Sequence, residues 1–472
     1  MVVELENLTG RRALVMGFGR FGGGLGVTKY LLECGAHVTV TDLSEESALA
    51  ESIACLNDEQ QKAITWKFGP HDPSDFTSAE IVVANPSVPT SDQNLVAARK
   101  SGAWVTTDIE LFLRLTDMRL VLITGTQGKS STAKMTADLL KSAGCDVHLG
   151  GNIGASLLPT LRSTHTPESI AVLELSSYQL EGLPDDVALA RAQVVGITNL
   201  LEDHLARHQT LERYHRAKVR ILDLLLEGGT AIIPLADLGN PPLQGEMANR
   251  LQKTHWMPFS AHSERAELSL SDGQFTRHGV AIAATSELAL PGSFQQLNAL
   301  VAIGVALALG ISPEKVREAI PTLKGLPHRA QDLGLIANAP FAIRVIDNAV
   351  STTPDSTQSV LESLPGPLTL LVGGRSKGQD LTRLAASCEG RVAHVLCFGE
   401  AAHELQKAFV STVPSSTAFT KMEDALQSAI GAHASPTILF SPACSSFDAF
   451  SNFKQRALAF RSALGFSTEA NS

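Results

Sequence analysis

Residues 120–142 limit what this chain can fold into more than any other stretch. Leu120 to Ile123 form an apolar run that reads as the end of a buried strand. The small-residue turn Thr124-Gly125-Thr126-Gln127-Gly128 follows, then Lys129, Ser130 and a helical stretch from Ser131. Strand, glycine turn, GK[ST] and helix together make a phosphate-binding loop. The glycines let backbone N–H groups approach phosphate oxygens, and the helix N-terminus directs partial positive charge to the same point. Lys129 is expected to reach the outer phosphates and Ser130 to place a hydroxyl on Mg²⁺. The strict spacing G-x-x-x-x-G-K is not met, because Ile123 holds the first glycine position. The reading therefore rests on the strand before and the helix after. The fold class it implies is α/β, with ligands bound beyond the carboxyl ends of a mostly parallel sheet.

A second glycine turn lies near the start. RRALVMGF (11–18) reads as a strand, Gly17 to Gly22 as a turn, VTKYLLECG as a helix and AHVTVTD as a strand ending at Asp42. This is the spacing G-x-G-x-x-G with an acidic residue about twenty positions on, which taken alone points to NAD. Its physical content is a phosphate-bearing ligand at a helix N-terminus. The glycine run continues through Gly23, Gly24 and Gly26, which is unusual for a helix start.

Length and composition set outer bounds. The 472 residues suggest three domains of about 150 each. The six cysteines form no CxxC pair or metal spacing, which fits buried thiols in a reducing compartment. The first twelve residues hold no apolar signal core. The run LNALVAIGVALALG is too short and interrupted to span a bilayer and reads as a buried helix. A net charge of −10 with no basic block argues against a nucleic-acid partner.

Strand and helix signals continue to a first boundary near Thr107. In the centre, IAVLELSSYQLEGL holds a strand ending in Glu174, Ser176 and Ser177. VVGITNLLEDHLARH holds another, ending in Asn199, with Glu202, Asp203 and His204 just beyond. YHRAKVRILDLL reads as a helix with Lys218 in its first turns. The phosphate loop, Glu174 and His204 all sit at strand ends and should converge on one site, where Glu174, His204 and Ser130 suit Mg²⁺ beside nucleotide phosphates. A second boundary falls at the turn Gly325-Leu326-Pro327. Beyond it FAIRVIDNA, LTLLVGG, HVLCFG and TILFSPA alternate with helical stretches as a smaller α/β unit.

Together these stretches resemble the Mur ligase family. The matching motifs are TGTQGKSS (124–131), GGNIG (150–154), LELSSYQLE (173–181), TNLLEDHLARH (198–208), YHRAKVRI (214–221), GLPHR (325–329), STTPDST (351–357), GGRSKG (373–378) and SPACSSFDAFSNFKQR (441–456). They run in the family order over nearly the whole chain. ELSSYQLE, GLPHR and SPACSSFD favour the glutamate-adding type.

The resemblance implies three domains: a Rossmann-like UDP-binding domain over 1–107, a P-loop ATPase-like domain over 108–325 and a Rossmann-like amino-acid-binding domain over 326–472. It implies a cytoplasmic, monomeric, ATP-dependent amide ligase of peptidoglycan precursor synthesis, with no membrane insertion. D-glutamate would be joined to UDP-N-acetylmuramoyl-L-alanine through an acyl phosphate. By the same resemblance ATP lies on Gly125, Thr126, Gln127, Gly128, Lys129, Ser130 and Ser131, with Gln295, Asn298, Arg329 and the Asp347-Asn348 pair. Two Mg²⁺ ions would be held by Ser130, Glu174, His204 and Lys218, the last as a CO₂-derived carbamate. Gly19, Arg20, Phe21, Asp42, Asn152, Ser176 and Gln179 would contact the UDP-linked substrate. Thr352, Lys377, Ser446, Phe447 and Phe453 would surround the glutamate. Lys129, Lys218, His204 and Arg329 would carry the chemistry.

Three features depart from the family pattern. Phe294 and Gln295 replace the histidine and asparagine of G-x-H-N-x-x-N, the family's Asn-Asp pair reads Asp347-Asn348, and Val350 stands where some relatives have lysine. The competing readings are a ligase adding another amino acid such as L-glutamate, a folylpolyglutamate synthase, a nicotinamide-dependent oxidoreductase and a regulatory P-loop ATPase.

Overall fold

The computed structural model describes residues 8–19, 22–154, 156–163, 165–250, 253–290, 292–336, 341–376, 378–431 and 435–467. Arg20, Phe21 and Lys377 lie outside the described residues. Two compact units hold the chain: residues 1–287 with 297–322, and residues 288–296 with 323–472.

The first unit carries two sheets. Short apolar runs form β1 (Arg12–Met16), β2 (His37–Asp42), β3 (Ile64–Phe68), β4 (Ile81–Ala84) and β5 (Trp104–Thr106). They pair in parallel in the order β3-β2-β1-β4-β5. Strands covered on both faces read as continuous apolar runs, and β4 is buried at every residue. The strand order reverses between β1 and β4, so a crevice opens beyond their carboxyl ends. α1 (Gly23–Glu33) begins there, and the glycine run belongs to it. A Cβ on Gly26 would stand 2.5 Å from Ser156 Cβ, and one on Gly24 would strike the Phe18 carbonyl. The glycines thus let α1 lie tight against its own turn and the segment after Ser156. α2 (Asp108–Leu115) follows β5 and is capped by Thr107, whose hydroxyl accepts from the Glu110 N–H at 3.2 Å.

The second sheet has nine strands: β6 (Arg119–Thr124), β7 (Val147–Gly151), β8 (Ile170–Glu174), β9 (Ala192–Ile197), β10 (Leu225–Pro234), β11 (His255–Ser260), β12 (Leu268–Ser271), β13 (Gln274–Arg277) and β14 (Val280–Ala284). Their order is β14-β13-β12-β11-β10-β9-β6-β8-β7, parallel from β7 to β12 and antiparallel at the β13 and β14 edge. α3 (Lys129–Ser142) follows β6, and α4 (Ser177–Gly182) follows β8. α5 (Leu205–His208) and α6 (Leu211–Val219) follow β9. Lys218 lies in the last turn of α6, not in the first turns that the sequence suggested. Thr210 caps that helix by accepting from the Arg213 N–H at 3.2 Å, so it starts three residues earlier than Tyr214. The apolar run near residue 300 forms α7 (Ser293–Ala308), buried from Ala299 to Ile303. No helix among the described residues is long and apolar enough to cross a membrane.

The second unit holds β15 (Gln331–Leu335), β16 (Arg344–Asp347), β17 (Leu368–Gly373), β18 (Val392–Phe398), β19 (Ser415–Phe419) and β20 (Thr437–Ala443). Their order is β15-β16-β20-β17-β18-β19, with only β15 antiparallel. Adjacency of β16, β20 and β17 brings three polar strand ends together. α8 (Phe453–Ala463) fastens them through the fully buried Arg456. Its guanidinium donates to the carbonyls of Gly373 and Cys444 at 3.1 Å and of Ala349 at 3.4 Å.

Candidate functional site

The phosphate loop is built by strands on both sides of β6. Gly125 has φ 145° and Gly128 φ 80°, backbone that favours glycine. Asn199, just past β9, accepts from the N–H groups of Thr126 at 3.2 Å and Gln127 at 2.9 Å. Thr198 donates to the Gln127 carbonyl at 2.5 Å, and Thr126 donates to the Leu201 carbonyl at 3.1 Å. Lys129 Nζ donates to the Thr126 carbonyl at 2.8 Å, and Ser130 follows in the first turn of α3. Asn298 accepts from Thr132 at 3.3 Å, behind that turn.

Lys218 and Glu174 reach the same place from the neighbouring elements. Lys218 is buried, donates to the Gly125 carbonyl at 2.5 Å and lies 4.6 Å from the centre of the Tyr214 ring. Burial pushes its pKa down to about 7, with the Lys129 charge adding to the fall and Asp203 and Glu174 opposing it. Glu174 ends β8 directly beside Ile123 of β6 and is 1% exposed. Its Oε1 accepts from Asn152 at 3.0 Å, while its buried Oε2 has no hydrogen-bond partner. Leaving such an oxygen unpaired costs about 1–3 kcal/mol or more, so it marks a place for a cation or donor. His204 begins α5 at φ 51° with an exposed ring 5.3 Å from that of Tyr178 and 6.0 Å from that of Tyr214. Among the described residues no three His, Cys, Asp or Glu side chains gather as a metal cluster.

A cavity of about 210 Å³ opens between the first two sheets. Gly17 and Asn85 line it from the ends of β1 and β4, and Asn152, Ser176 and Gln179 from the second sheet. Ser176 and Gln179 also form a capping box on α4: the Ser176 hydroxyl accepts from the Gln179 N–H at 3.2 Å, and Gln179 Oε1 accepts from the Ser176 N–H at 2.9 Å. Asp42 is turned inward onto the backbone. Its carboxylate accepts from the N–H of Gly19 at 3.0 Å and of Ser44 at 2.8 Å, so it shapes the glycine turn itself.

In the second unit, Asp347 and Asn348 are both buried and engaged. Asp347 accepts from His328 Nδ1, Arg461 Nε and, at 3.0 Å, the Ala349 N–H, the first two at 2.8 Å. Asn348 donates to Ser351 at 2.6 Å and Ser441 at 2.9 Å, and accepts from the Ala330 N–H at 3.1 Å. Arg329 lies between two residues of positive φ, His328 at 62° and Ala330 at 47°. Gln295 and Ser446 are buried, and Phe447 is exposed. Thr352 is partly buried just before the cap residue Thr353, and Phe453 opens α8.

Sequence reasoning passed over Tyr214, Asp108 and the loop-holding role of Asn199. Tyr214 carried a signal, being four residues before Lys218 and hence on the same helix face. The contacts of Asn199 and Asp108 depend on strand order and helix packing, which no local pattern encodes.

Comparison with known proteins gives a consistent result over the whole chain. Residues 123–306 match the Mur ligase middle domain, 11–107 the Mur ligase MurD-like N-terminal domain and 328–444 the Mur ligase glutamate ligase domain. The UDP-N-acetylmuramoylalanine–D-glutamate ligase of Geobacter sp. (strain M21) is 33% identical over 467 residues, covering 98% of each chain. The protein of the same name from Roseiflexus sp. (strain RS-1) is 34% identical over 470 residues, covering 96% of this chain and 98% of its own. Among solved structures, Thermotoga maritima MurC superposes with a TM-score of 0.58 at 18% identity, over 92% of this chain and 96% of its own. Acinetobacter baumannii MurF does so at 0.55 and 17%, over 97% and 92%.

Proposed function

The chain belongs to the Mur ligase family, and from that premise we propose that it joins D-glutamate to UDP-N-acetylmuramoyl-L-alanine with ATP. The observation that carries the reading is the meeting of three strand ends. β6 brings the phosphate loop, β8 brings Glu174 with its unpaired oxygen, and the segment after β9 brings Asn199 and, through α6, Lys218. In the proposed division, residues 1–107 hold the UDP moiety, 108–325 hold ATP and 326–472 hold the amino acid.

The loop N–H groups and Lys129 would bind the ATP phosphates and steady the γ-phosphoryl group as it moves to the alanine carboxylate. ADP leaves, and an acyl phosphate remains on the substrate. The amine of D-glutamate attacks the acyl carbon and loses a proton. The tetrahedral intermediate expels phosphate, which keeps one oxygen of the original carboxylate. The unpaired Glu174 Oε2 suits a hard cation, and Ser130, Glu174, His204 and carbamylated Lys218 are the residues we assign to two Mg²⁺ ions. Bound Mg²⁺ supplies charge neutralisation at the phosphoryl group. A Lys218 amine that titrates near neutrality is nucleophilic enough to add CO₂, forming an N–C bond and releasing a proton. Arg329 is assigned to the γ-phosphate, and Thr352, Lys377, Ser446, Phe447 and Phe453 to the acceptor. The working form is proposed to be a cytoplasmic monomer.

The acceptor is tested by following phosphate release with ATP, UDP-N-acetylmuramoyl-L-alanine and one of D-glutamate, L-glutamate, D-aspartate or L-lysine. Turnover with D-glutamate is expected. Preference for L-glutamate would overturn the handedness alone, and preference for L-lysine would overturn the acceptor pocket.

A further inference from the structure

We propose that Asp108 holds the UDP-linked substrate as a neutral acid, donating a hydrogen bond to it, so that binding draws one proton from solvent. The inference rests on the reading that the cavity between the first two sheets takes that substrate. Asp108 opens α2, lines the cavity and is 8% exposed. Its Oδ1 is buried without a hydrogen-bond partner. A Cβ on Gly23 would lie 3.9 Å from its Oδ2, so the carboxyl faces the first turn of α1. That turn is where a diphosphate would settle on backbone N–H groups.

Among the described residues that line the cavity there is no lysine, arginine or histidine, and Asp108 is the one carboxylate. An ionised Asp108 beside a diphosphate would set like charges together away from water, which favours the protonated form. A neutral acid instead offers its O–H to a phosphate oxygen, a short charge-assisted bond. The free side chain is poised for this. Burial pushes its pKa up to about 6, and only the N–H groups of its own first turn pull it back. Among the described residues, the charged or titratable groups on the elements packed around it are Lys29, Tyr30 and Glu33 of α1, Arg162 of the 158–162 turn, Asp186 before the 187–189 turn, Glu110 and Arg114 of α2, and Tyr178 of α4, which lines the same cavity. Arg114 pairs with Glu110 and Asp186 at 2.8 Å each, and none of the eight shifts Asp108. Its protonation therefore answers to what occupies the cavity.

The sign follows from linkage. Below about pH 6 the acid is already neutral and affinity is flat; above it the bound state holds the extra proton, so affinity falls by up to about tenfold per pH unit. The phosphates and carboxylate of the ligand stay ionised across this range.

The test is calorimetric titration of the full chain with UDP-N-acetylmuramoyl-L-alanine, without ATP, from pH 6 to 8.5 in buffers of different ionisation enthalpy. Uptake approaching one proton is expected near pH 8. Asp108→Asn keeps a donor in the same place and should bind tighter than wild type at pH 8, with no uptake. Lys218 also titrates near neutrality, so the measurement is repeated in Lys218→Met, where the uptake should persist even if Asp108→Asn does not fold. Binding without uptake, or uptake unchanged in Asp108→Asn, overturns the role of Asp108. No binding at any pH overturns the substrate assignment beneath it.

Discussion

Lys218 combines features that oppose one another. Its ammonium donates to the Gly125 carbonyl and faces the Tyr214 ring, both of which favour charge, yet burial wins and brings its pKa to about 7. Because the folded value lies below the ordinary lysine value of 10.5, the unfolded chain holds the extra proton between about pH 7 and 10.5, and stability rises with pH across that window. In CO₂-free buffer, urea unfolding from pH 7.5 to 9.5 should show this rise in wild type, by up to about 1.4 kcal/mol per pH unit, and not in Lys218→Met. The same neutral amine predicts that activity below pH 7 depends more steeply on added CO₂ than activity at pH 8. Lys218→Ala should lose turnover, with partial rescue by short carboxylic acids. Equal pH slopes for wild type and Lys218→Met would contradict the buried-amine account.

At the scale of elements, α1 shows why a glycine run can sit inside a helix. Gly26 is a point of closest approach to Ser156, so Gly26→Ala should cost about 1–3 kcal/mol by overpacking. Ser156→Gly should return most of that loss in a double-mutant cycle read by denaturant unfolding, whereas additive losses would place the strain elsewhere. The glycines themselves were plain in the sequence, but their purpose was not, because Ser156 is 130 residues away. Strands with unbroken apolar runs, such as β6, β8 and β17, were legible because both their faces are covered. β12, β13, β15 and β19 were not singled out: LSLS, QFTR, QDLGL and SSTAF are short, polar and near sheet edges. The phosphate loop was legible because its chemistry is contiguous. Asn199 was visible as a strand end, but its grip on the loop follows only from β9 lying beside β6.

At the scale of the molecule, three sheets place their polar residues at carboxyl strand ends, and the first two share one compact unit with a cavity between them. Arg456 extends the logic to the third sheet, fastening three strand ends with one buried cation. The central claim is that the substrate carboxylate is activated by phosphoryl transfer before the amine attacks. It is tested most directly by supplying UDP-N-acetylmuramoyl-L-alanine labelled with ¹⁸O in its alanine carboxylate, together with ATP and D-glutamate, and weighing the released phosphate. One labelled oxygen per phosphate is predicted, with none when the muramoyl substrate is unlabelled. Phosphate free of label at full turnover would mean that water, not the carboxylate, receives the phosphoryl group.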